Sequence, residues 1–489
     1  MKGSVPPIRV RKTNDRPINP KGDFILYWMI ANRRSGWNFS LQRALDWARE
    51  FKKPLVVLEA LRVDYPWSSD RFHTFILDGM ADNEKEMKRR PALYYPYVEP
   101  KPDGGKGLLV TMTEKACVVI TDDFPAFFIP HMVSAASQKI PVFMEAVDSN
   151  GLLPMRSSDR IFATAYAFRR FLQKNLPPYL MEIPAAEPFK GITLPRINEL
   201  PKGLQKKWPR IPTDFLMRRS KNFQPFAIDH KVAPVDQRGG QRSARNVLKK
   251  FIENRLSHYQ ERRNQPEEDG TSGLSPYLHF GHISCHQIFY EIQEKEEWFF
   301  DRLSMKTSGS RSGWWGMSEA GEAFLDELVT WRELGFNRCW QTEDFDRYES
   351  LPDWAIASLR AHEMDKRTHI YSQKAFAEGK THDPLWNAAQ IQLVREGRIH
   401  NYLRMLWGKK ILEWSATPRK ALATMIELNN RFALDGRDPN SYSGIFWILG
   451  RYDRAWGPER PIFGKVRYMS SENTARKVRV KNYIKRYAP

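Results

Sequence analysis

The chain is short of cysteine, of acidic residues and of long apolar runs. Its 489 residues include three cysteines. Cys117, Cys285 and Cys339 stand far apart, which excludes a disulfide framework and a CxxC metal site. Three core thiols in a reducing compartment are the expectation. No run of 18 apolar residues occurs, so a membrane-spanning helix is not expected. The opening stretch MKGSVPPIRVRKTNDRPINPKGD lacks the apolar segment of a signal peptide. Its prolines and charges make residues 1–21 read as a flexible basic arm. No GxGxxG follows the first strand pattern, so the dinucleotide fingerprint is missing. Neither a metal-ligand cluster nor an internal repeat is found. Acidic residues number 57 against 77 Lys and Arg, a net charge of +20. That excess suits a polyanionic partner, nucleic acid before others, with plain solubility as the blander reason.

Hydrophobic residues make up 41% of the chain, enough for packed cores, and its length argues for two domains. The first third alternates strand and helix patterns. Phe24 to Ile30 is a continuous apolar run, as in a strand covered on both faces. Phe39, Leu41, Ala44, Leu45, Trp47, Ala48 and Phe51 have helical spacing. Pro54 to Leu58, Cys117 to Ile120 and Pro141 to Met144 read as further strands, with a helix near 70–90. The alternation predicts a parallel, doubly wound α/β sheet over residues 22–182. Residues 183–238 carry recurrent prolines (Pro184, Pro188, Pro195, Pro201, Pro209, Pro212) and read as a connector laid over the surface. From 239 to 489 the pattern is helical throughout. The Gly/Ser stretch 305–317, with Trp314 and Trp315, reads as a loop insertion.

Three segments carry candidate chemistry. In Thr271-Ser272-Gly273-Leu274-Ser275-Pro276, small hydroxyl residues precede a helix that Ser275 caps and Pro276 opens, leaving backbone N–H groups for a phosphate. Taken alone, this describes an ordinary capped loop better than a phosphate site. From Asp383-Pro384 one helix runs toward Gly397 and a second through Arg404 and Trp407 to Trp414. Arg404 and Trp407 share a face, and Trp407 and Trp414 lie two turns apart, about 10 Å by helix rise. Electron hopping along such a stripe is one use; core packing is the commoner one. Leu428 to Asn440 is a turn-rich stretch dense in Asn, Asp and Arg, apt for hydrogen bonding or simply solvated.

Together these segments match a family in order and spacing. TSxLSPYLxFGxIS, ELxxWREL, DPLWNAAQ, LRMxWxKKILEW, LDGRDPNxYxG and RPIFGKxRYMS resemble the photolyase/cryptochrome family. The last four are close to its class II branch of cyclobutane pyrimidine dimer photolyases. The resemblance is strong over residues 239–470; before that it rests on the first strand and the VDYP segment at 63–66.

The resemblance implies an all-α domain holding FAD, reduced and anionic in its active form. It implies an N-terminal domain with room for an antenna chromophore, a deazaflavin by family precedent. The phosphate motif falls on Thr271, Ser272, Gly273, Leu274 and Ser275, with Tyr259 upstream. Arg404 and Asp435 resemble the ion pair beside the flavin ring, and Asn429 the asparagine at its N5. Flavin photoreduction would run through Trp407, Trp386 and Trp414, in order from the cofactor outward. Glu327, Trp331, Met405 and Trp447 resemble the lesion pocket, with Glu327 on the base edge and the tryptophans as walls against a flipped dimer. Without the resemblance, Glu327 reads as a surface acid paired with Arg332 or Arg338. Arg451, Arg454, Lys465 and Arg467 are the implied phosphate contacts, which position DNA without reading its sequence. The implied function is light-driven repair of cyclobutane pyrimidine dimers by electron transfer, in a monomeric protein of the cytoplasm or nucleoid. A photoreceptor without repair activity and a repair enzyme for (6-4) products are the alternatives. Tyr452-Asp453-Arg454 and Asn473 to Arg479 depart from the family pattern on the rim that would face DNA.

Overall fold

The computed structural model describes residues 4–217, 223 and 226–488. Part of the expected connector (218–222, 224–225) and the start of the expected basic arm (1–3) lie outside the described residues. The chain forms two compact units, one of Met1–Ser158, Asn175–Lys249 and Leu274–Ile292, the other of Asp159–Lys174, Lys250–Gly273 and Gln293–Pro489. No helix among the described residues is long and apolar enough to cross a membrane.

The first unit is built on a six-stranded sheet: β1 (Val10–Lys12), β2 (Phe24–Trp28), β3 (Leu55–Leu61), β4 (Ala92–Val98), β5 (Ala116–Asp122) and β6 (Met144–Val147). Their spatial order is β1-β6-β5-β2-β3-β4. All pairings are parallel except β1 with β6. The apolar run of β2 is explained by its two faces. Ile25 and Tyr27 point into a core shared with Phe39, Leu41, Ala44 and Leu45 of the Phe39–Phe51 helix. Phe24, Leu26 and Trp28 point into the opposite core, with Leu108, Met112 and Val133. The side chain of Asn38 caps the 39–51 helix by accepting from Ser40 and Leu41 N–H.

Two expectations for this unit are corrected. The expected basic arm contains β1, in register with β6 from Val10 opposite Val147 to Lys12 opposite Glu145. Two of its arginines are matched rather than solvated. Arg9 is buried and donates to the carbonyls of Gly151 and Leu152 at 3.1 and 2.6 Å. Arg11 forms a bidentate pair with Asp123. The expected surface connector also contributes to both cores. Phe189 and Leu194 pack on one face of the sheet, and Leu200, Leu204 and Trp208 on the other. Its prolines set the extended path between those anchors.

The chain order reverses beside β2, the place where doubly wound sheets open their ligand crevice. Here Asp122, at the end of β5, fills that position itself. Its carboxylate accepts from Ile30, Ala31 and Asn32 N–H at 2.9, 2.7 and 2.9 Å, and from the Tyr27 hydroxyl at 2.8 Å. A backbone nest that elsewhere takes a cofactor phosphate is thus closed by an internal anion, in keeping with the missing glycine fingerprint. Asp122→Ala should destabilise the protein by about 3 kcal/mol or more, since several buried donors lose a charged acceptor at once. Denaturant unfolding against wild type checks this; a loss under about 1 kcal/mol would contradict it.

The second unit is helical. Its main helices are Ala165–Asn175, Glu319–Leu325, Arg332–Gln341, Pro384–Glu396, Asn401–Trp414, Pro418–Phe432 and Pro439–Ile448. Asp383 caps the 384–396 helix by accepting from Leu385 and Trp386 N–H, and Gly397 ends it at φ 68°. The 401–414 and 439–448 helices approach closely at Gly408, where a Cβ would stand 2.1 Å from Ile448 Cδ1. Beside it Lys409, fully buried, donates to the Ile448 carbonyl, and burial lowers its pKa to about 7.

Candidate active site

Residues Asp326–Trp331 form one π-helical turn between the 319–325 and 332–341 helices. Such turns widen a helix by one residue and often sit at functional positions. This one carries both Glu327 and Trp331. The Trp331 ring lies 5.6 Å from that of Trp447 at 45°, so the two tryptophans expected as pocket walls are in contact. Trp331, Met405 and Trp447 are all partly exposed, as surfaces that can meet a ligand must be.

Glu327 pairs with neither Arg332 nor Arg338. Arg263 donates to its carboxylate at 2.6 Å. The π turn explains the difference. Arg332 is buried, with its guanidinium 4.4 Å from the centre of the Phe336 ring, and Arg338 reaches Asp344 instead. A third of the Glu327 side chain still reaches solvent, yet the protein packed around it disfavours the charged form. Burial raises its pKa and Arg263 pulls it back. Arg263 also lies over the Tyr259 ring, 5.7 Å from its centre. Tyr259 is buried against Phe251 and Phe324, which pushes its phenol pKa up. Arg263 is thus a residue that sequence reasoning missed. It stood in the HYxxRRNxP segment beside Tyr259, but nothing local reveals a partner 64 residues away.

A second cluster joins Arg404, Asn429 and Asp435. Arg404 donates to both Asp435 carboxylate oxygens at 3.2 and 3.4 Å, and to Asn429 Oδ1 at 3.5 Å. Asn429 is buried, and its Nδ2 donates to Ser441 Oγ at 2.8 Å. The turn at Gly436 makes the cluster compact, since a Cβ there would stand 2.7 Å from the Asn429 carbonyl. Arg437 follows at φ 67° and donates through its backbone N–H to Asn430 Oδ1 at 2.9 Å. The set offers a cation, an anion and an amide side by side. That is a fitting wall for a flat heterocycle whose edge alternates donors and acceptors.

The three expected relay tryptophans lie close together in the interior, exposed by 1% at Trp407, 0% at Trp386 and 3% at Trp414. Trp386 touches both others. Its indole N–H donates to the Trp407 carbonyl at 2.9 Å, and its ring lies 6.0 Å from Trp414. The Trp407 indole donates to Gln390 Oε1 at 2.9 Å, and Gln390 is oriented by its own bond to the Ala377 carbonyl. Sequence reasoning missed Tyr371, whose ring lies 5.7 Å from Trp414 and whose hydroxyl is 2.7 Å from His382 Nδ1.

The phosphate motif keeps Gly273 at φ 71°, where other residues are strained. Ser275 is the first helical residue rather than the cap. Leu274 holds the cap position without a side-chain bond, and the Ser275–His279 helix is one short turn. Thr271, Ser272 and Gly273 are partly exposed, while Leu274 is buried. Just before the motif, Arg255, Arg262, Glu268, Asp269 and Gly270 line a cleft of about 390 Å³.

Among the expected DNA contacts, Arg451 is a correction. It is 4% exposed, donates to the Phe345 carbonyl and Ser350 Oγ, and stacks 3.8 Å from the centre of the Phe446 ring. Burial lowers its pKa to about 10. It braces the fold and is not a surface cation. Arg454 and Lys465 are exposed. Arg467 is half-buried over Trp456 and Trp447, with Asp453 3.4 Å away. Asp453, from the divergent Tyr452-Asp453-Arg454 turn, also accepts from Trp456 Nε1. The three cysteines are buried and form no disulfide.

No protein-family model matches the chain. The deoxyribodipyrimidine photo-lyase of Methanothermobacter thermautotrophicus is 31% identical, with 98% of this chain and 97% of that protein aligned. The enzyme of the same name from Arabidopsis thaliana is 32% identical over 98% of this chain and 92% of its own. Among solved structures, the class III photolyase of Agrobacterium tumefaciens superposes with a TM-score of 0.67 at 18% identity, covering 96% of this chain and 86% of its own. An archaeal photolyase of Sulfolobus tokodaii, solved with two FAD molecules, superposes with a TM-score of 0.61 at 15% identity, covering 95% and 90%. These likenesses join the π turn, the arginine–asparagine–aspartate cluster and the buried tryptophans to one conclusion: the chain belongs to the photolyase family of deoxyribodipyrimidine photo-lyases.

Proposed function

We propose that this protein repairs cyclobutane pyrimidine dimers in DNA, driven by light, with FAD held in its helical unit. The observation that carries the proposal is the π turn. It carries a carboxyl, steadied by Arg263, and Trp331, whose ring meets Trp447 of the 439–448 helix. A flipped, unstacked dimer offers two base faces and a polar edge, which is what these groups take. Trp331 and Trp447 bind by stacking, Met405 adds to the pocket, and Glu327 hydrogen-bonds the base edge. The full-length relatives carry the dipyrimidine in their names, which supports the substrate class.

When bound, FAD supplies the photoexcited electron. The chain's own groups bind and orient around it. Arg404 and Asp435 present fixed charge of both signs, and Asn429, held by Ser441, presents its amide. Thr271 through Ser275 with Tyr259 are assigned to the phosphates. Trp407, Trp386 and Trp414 are assigned to resupply of electrons from solvent, with Tyr371 extending the aromatic run. Arg454, Lys465 and Arg467 are assigned to the DNA backbone, giving affinity without sequence preference.

The purified protein should be yellow, with flavin absorption bands. Under near-UV or blue light it should remove cyclobutane dimers from irradiated DNA, and in the dark it should not. A colourless protein that takes up no FAD would overturn the cofactor assignment. A yellow protein that leaves dimers intact, or removes only (6-4) products, would overturn the substrate.

A further inference from the structure

The Gly/Ser/Trp stretch at 305–317 is folded, and it is anchored on the 319–325 helix that leads into the π turn of Glu327, on the 165–175 helix and on Trp298. Glu322, 3% exposed in the first turn of the 319–325 helix, accepts from Gly313, Gly316 and Met317 N–H. Trp314 and Trp315 are buried, and the Trp298 indole donates to the Trp315 carbonyl. On the other side Gln173 bonds Gly309 N–H at 2.7 Å and the Ser310 carbonyl at 3.0 Å. Arg169 grips both Asp326 carboxylate oxygens at 2.7 and 3.0 Å and also reaches the Gly309 carbonyl. Asp326 is the neighbour of Glu327 and the first residue of the π turn.

These bonds close a tight bend at its tip, where Ser310 Oγ donates to the Ser312 carbonyl at 2.9 Å. Arg311 stands at that tip, exposed, with no hydrogen bond or ion pair among the described residues. From Arg302 to Met317 the chain carries Arg302, Lys306 and Arg311 and no carboxylate. The nearby acids Glu296 and Glu322 are occupied by backbone N–H groups. The anchored backbone fixes where Arg311 stands, so little loop freedom is lost when its guanidinium meets an anion.

We infer that the 305–317 loop is a phosphate clamp beside the lesion pocket, in which Arg311 takes a phosphodiester of the strand carrying the dimer. The inference rests on the pocket proposed above. Proximity is supported separately by the Glu327 carboxyl, which burial raises and Arg263 lowers, and whose pKa the charge of Arg311 also pulls down. The loop is tied through Arg169 to the turn proposed to receive the flipped dimer, so Arg311 is placed to meet the backbone beside the lesion. It therefore contributes to discrimination between damaged and intact DNA.

The test uses the flavin-loaded full chain and two duplexes of one sequence, with and without a single dimer. Arg311→Ala should weaken binding of the dimer-containing duplex roughly tenfold and reduce its salt slope by about one. Binding of the intact duplex should change much less. Arg311→Lys should recover part of the loss, and flavin content should match wild type in both variants. Unchanged affinity for the dimer duplex, or an equal loss on both duplexes, would overturn the inference. Should Arg311→Ala lose flavin as well, the charge reversal Lys306→Glu on the same loop decides, with weaker binding confined to the dimer duplex as the supporting result. If wild type itself does not prefer the dimer duplex, the proposed function fails and not merely the clamp.

Discussion

Trp407→Phe will abolish light-driven reduction of oxidised FAD in the purified protein, even with an external thiol present. Phenylalanine fills most of the tryptophan's volume but is far harder to oxidise, so it breaks a chain of donors without emptying the core. The geometry makes this site sensitive. Trp386 reaches Trp407 through a hydrogen bond to its carbonyl and Trp414 through ring contact, so the proposed relay would run through the three in series. The substitution also leaves Gln390 Oε1 without its donor, a cost of about 1–3 kcal/mol that flavin content and thermal unfolding will report. Trp414→Phe should be milder, because Tyr371 packs against that position. The measurement is the decay of the oxidised flavin band under blue light. Reduction at the wild-type rate in Trp407→Phe would remove the relay from the account. Repair by chemically pre-reduced enzyme should survive the change, which separates electron supply from repair.

Glu327→Ala will slow dimer repair by roughly 10- to 100-fold while FAD stays bound. The estimate is the 1.5–3 kcal/mol typical of a hydrogen bond to a charged group, converted to rate. The loss has two sources. The base edge loses its partner, and Arg263 loses the acceptor it holds at 2.6 Å and becomes free to move over the Tyr259 ring. Glu327→Gln separates them. Its amide oxygen can still accept from Arg263 but carries no charge, so a smaller loss is expected than with alanine. Single-turnover repair with pre-reduced enzyme is the measurement. Full activity in the alanine variant would mean that the tryptophan pair alone seats the lesion.

Much of this architecture is legible in the sequence where burial is two-sided or a cap is local. β2 shows as an unbroken apolar run because both its faces are covered. The 384–396 helix shows at both ends because Asp383 and Gly397 act within a turn. Elements at the sheet's margins do not show. β4 is an edge strand interrupted by Pro96, tolerated because its outer side needs no ladder. β1 is written largely in charges, and Arg11 within it and Arg9 just before it find partners more than a hundred positions away. In the site, the residue types followed from spacing and resemblance, but their partners did not. The π turn leaves no mark in the sequence, and it redirected Glu327 from Arg332 to Arg263. Arg451 is four residues after Trp447 and looks like a rim cation. Its interior position depends on Phe345 and Ser350, which no local pattern reveals.

The acceptors around the buried indoles have a bearing on how far a positive hole can travel. An oxidised indole becomes a strong N–H acid, and a nearby base would neutralise it and stall transfer. The N–H of Trp386 faces a peptide carbonyl and that of Trp407 a carboxamide oxygen. Neither takes a proton at neutral pH. A hole on either residue would keep its charge and stay mobile until it reached Trp414, where the imidazole of His382 meets the ring edge-on at 4.9 Å and is itself hydrogen-bonded to the Tyr371 hydroxyl. On the proposed relay, deprotonation, and with it the irreversible step, would then fall at Trp414.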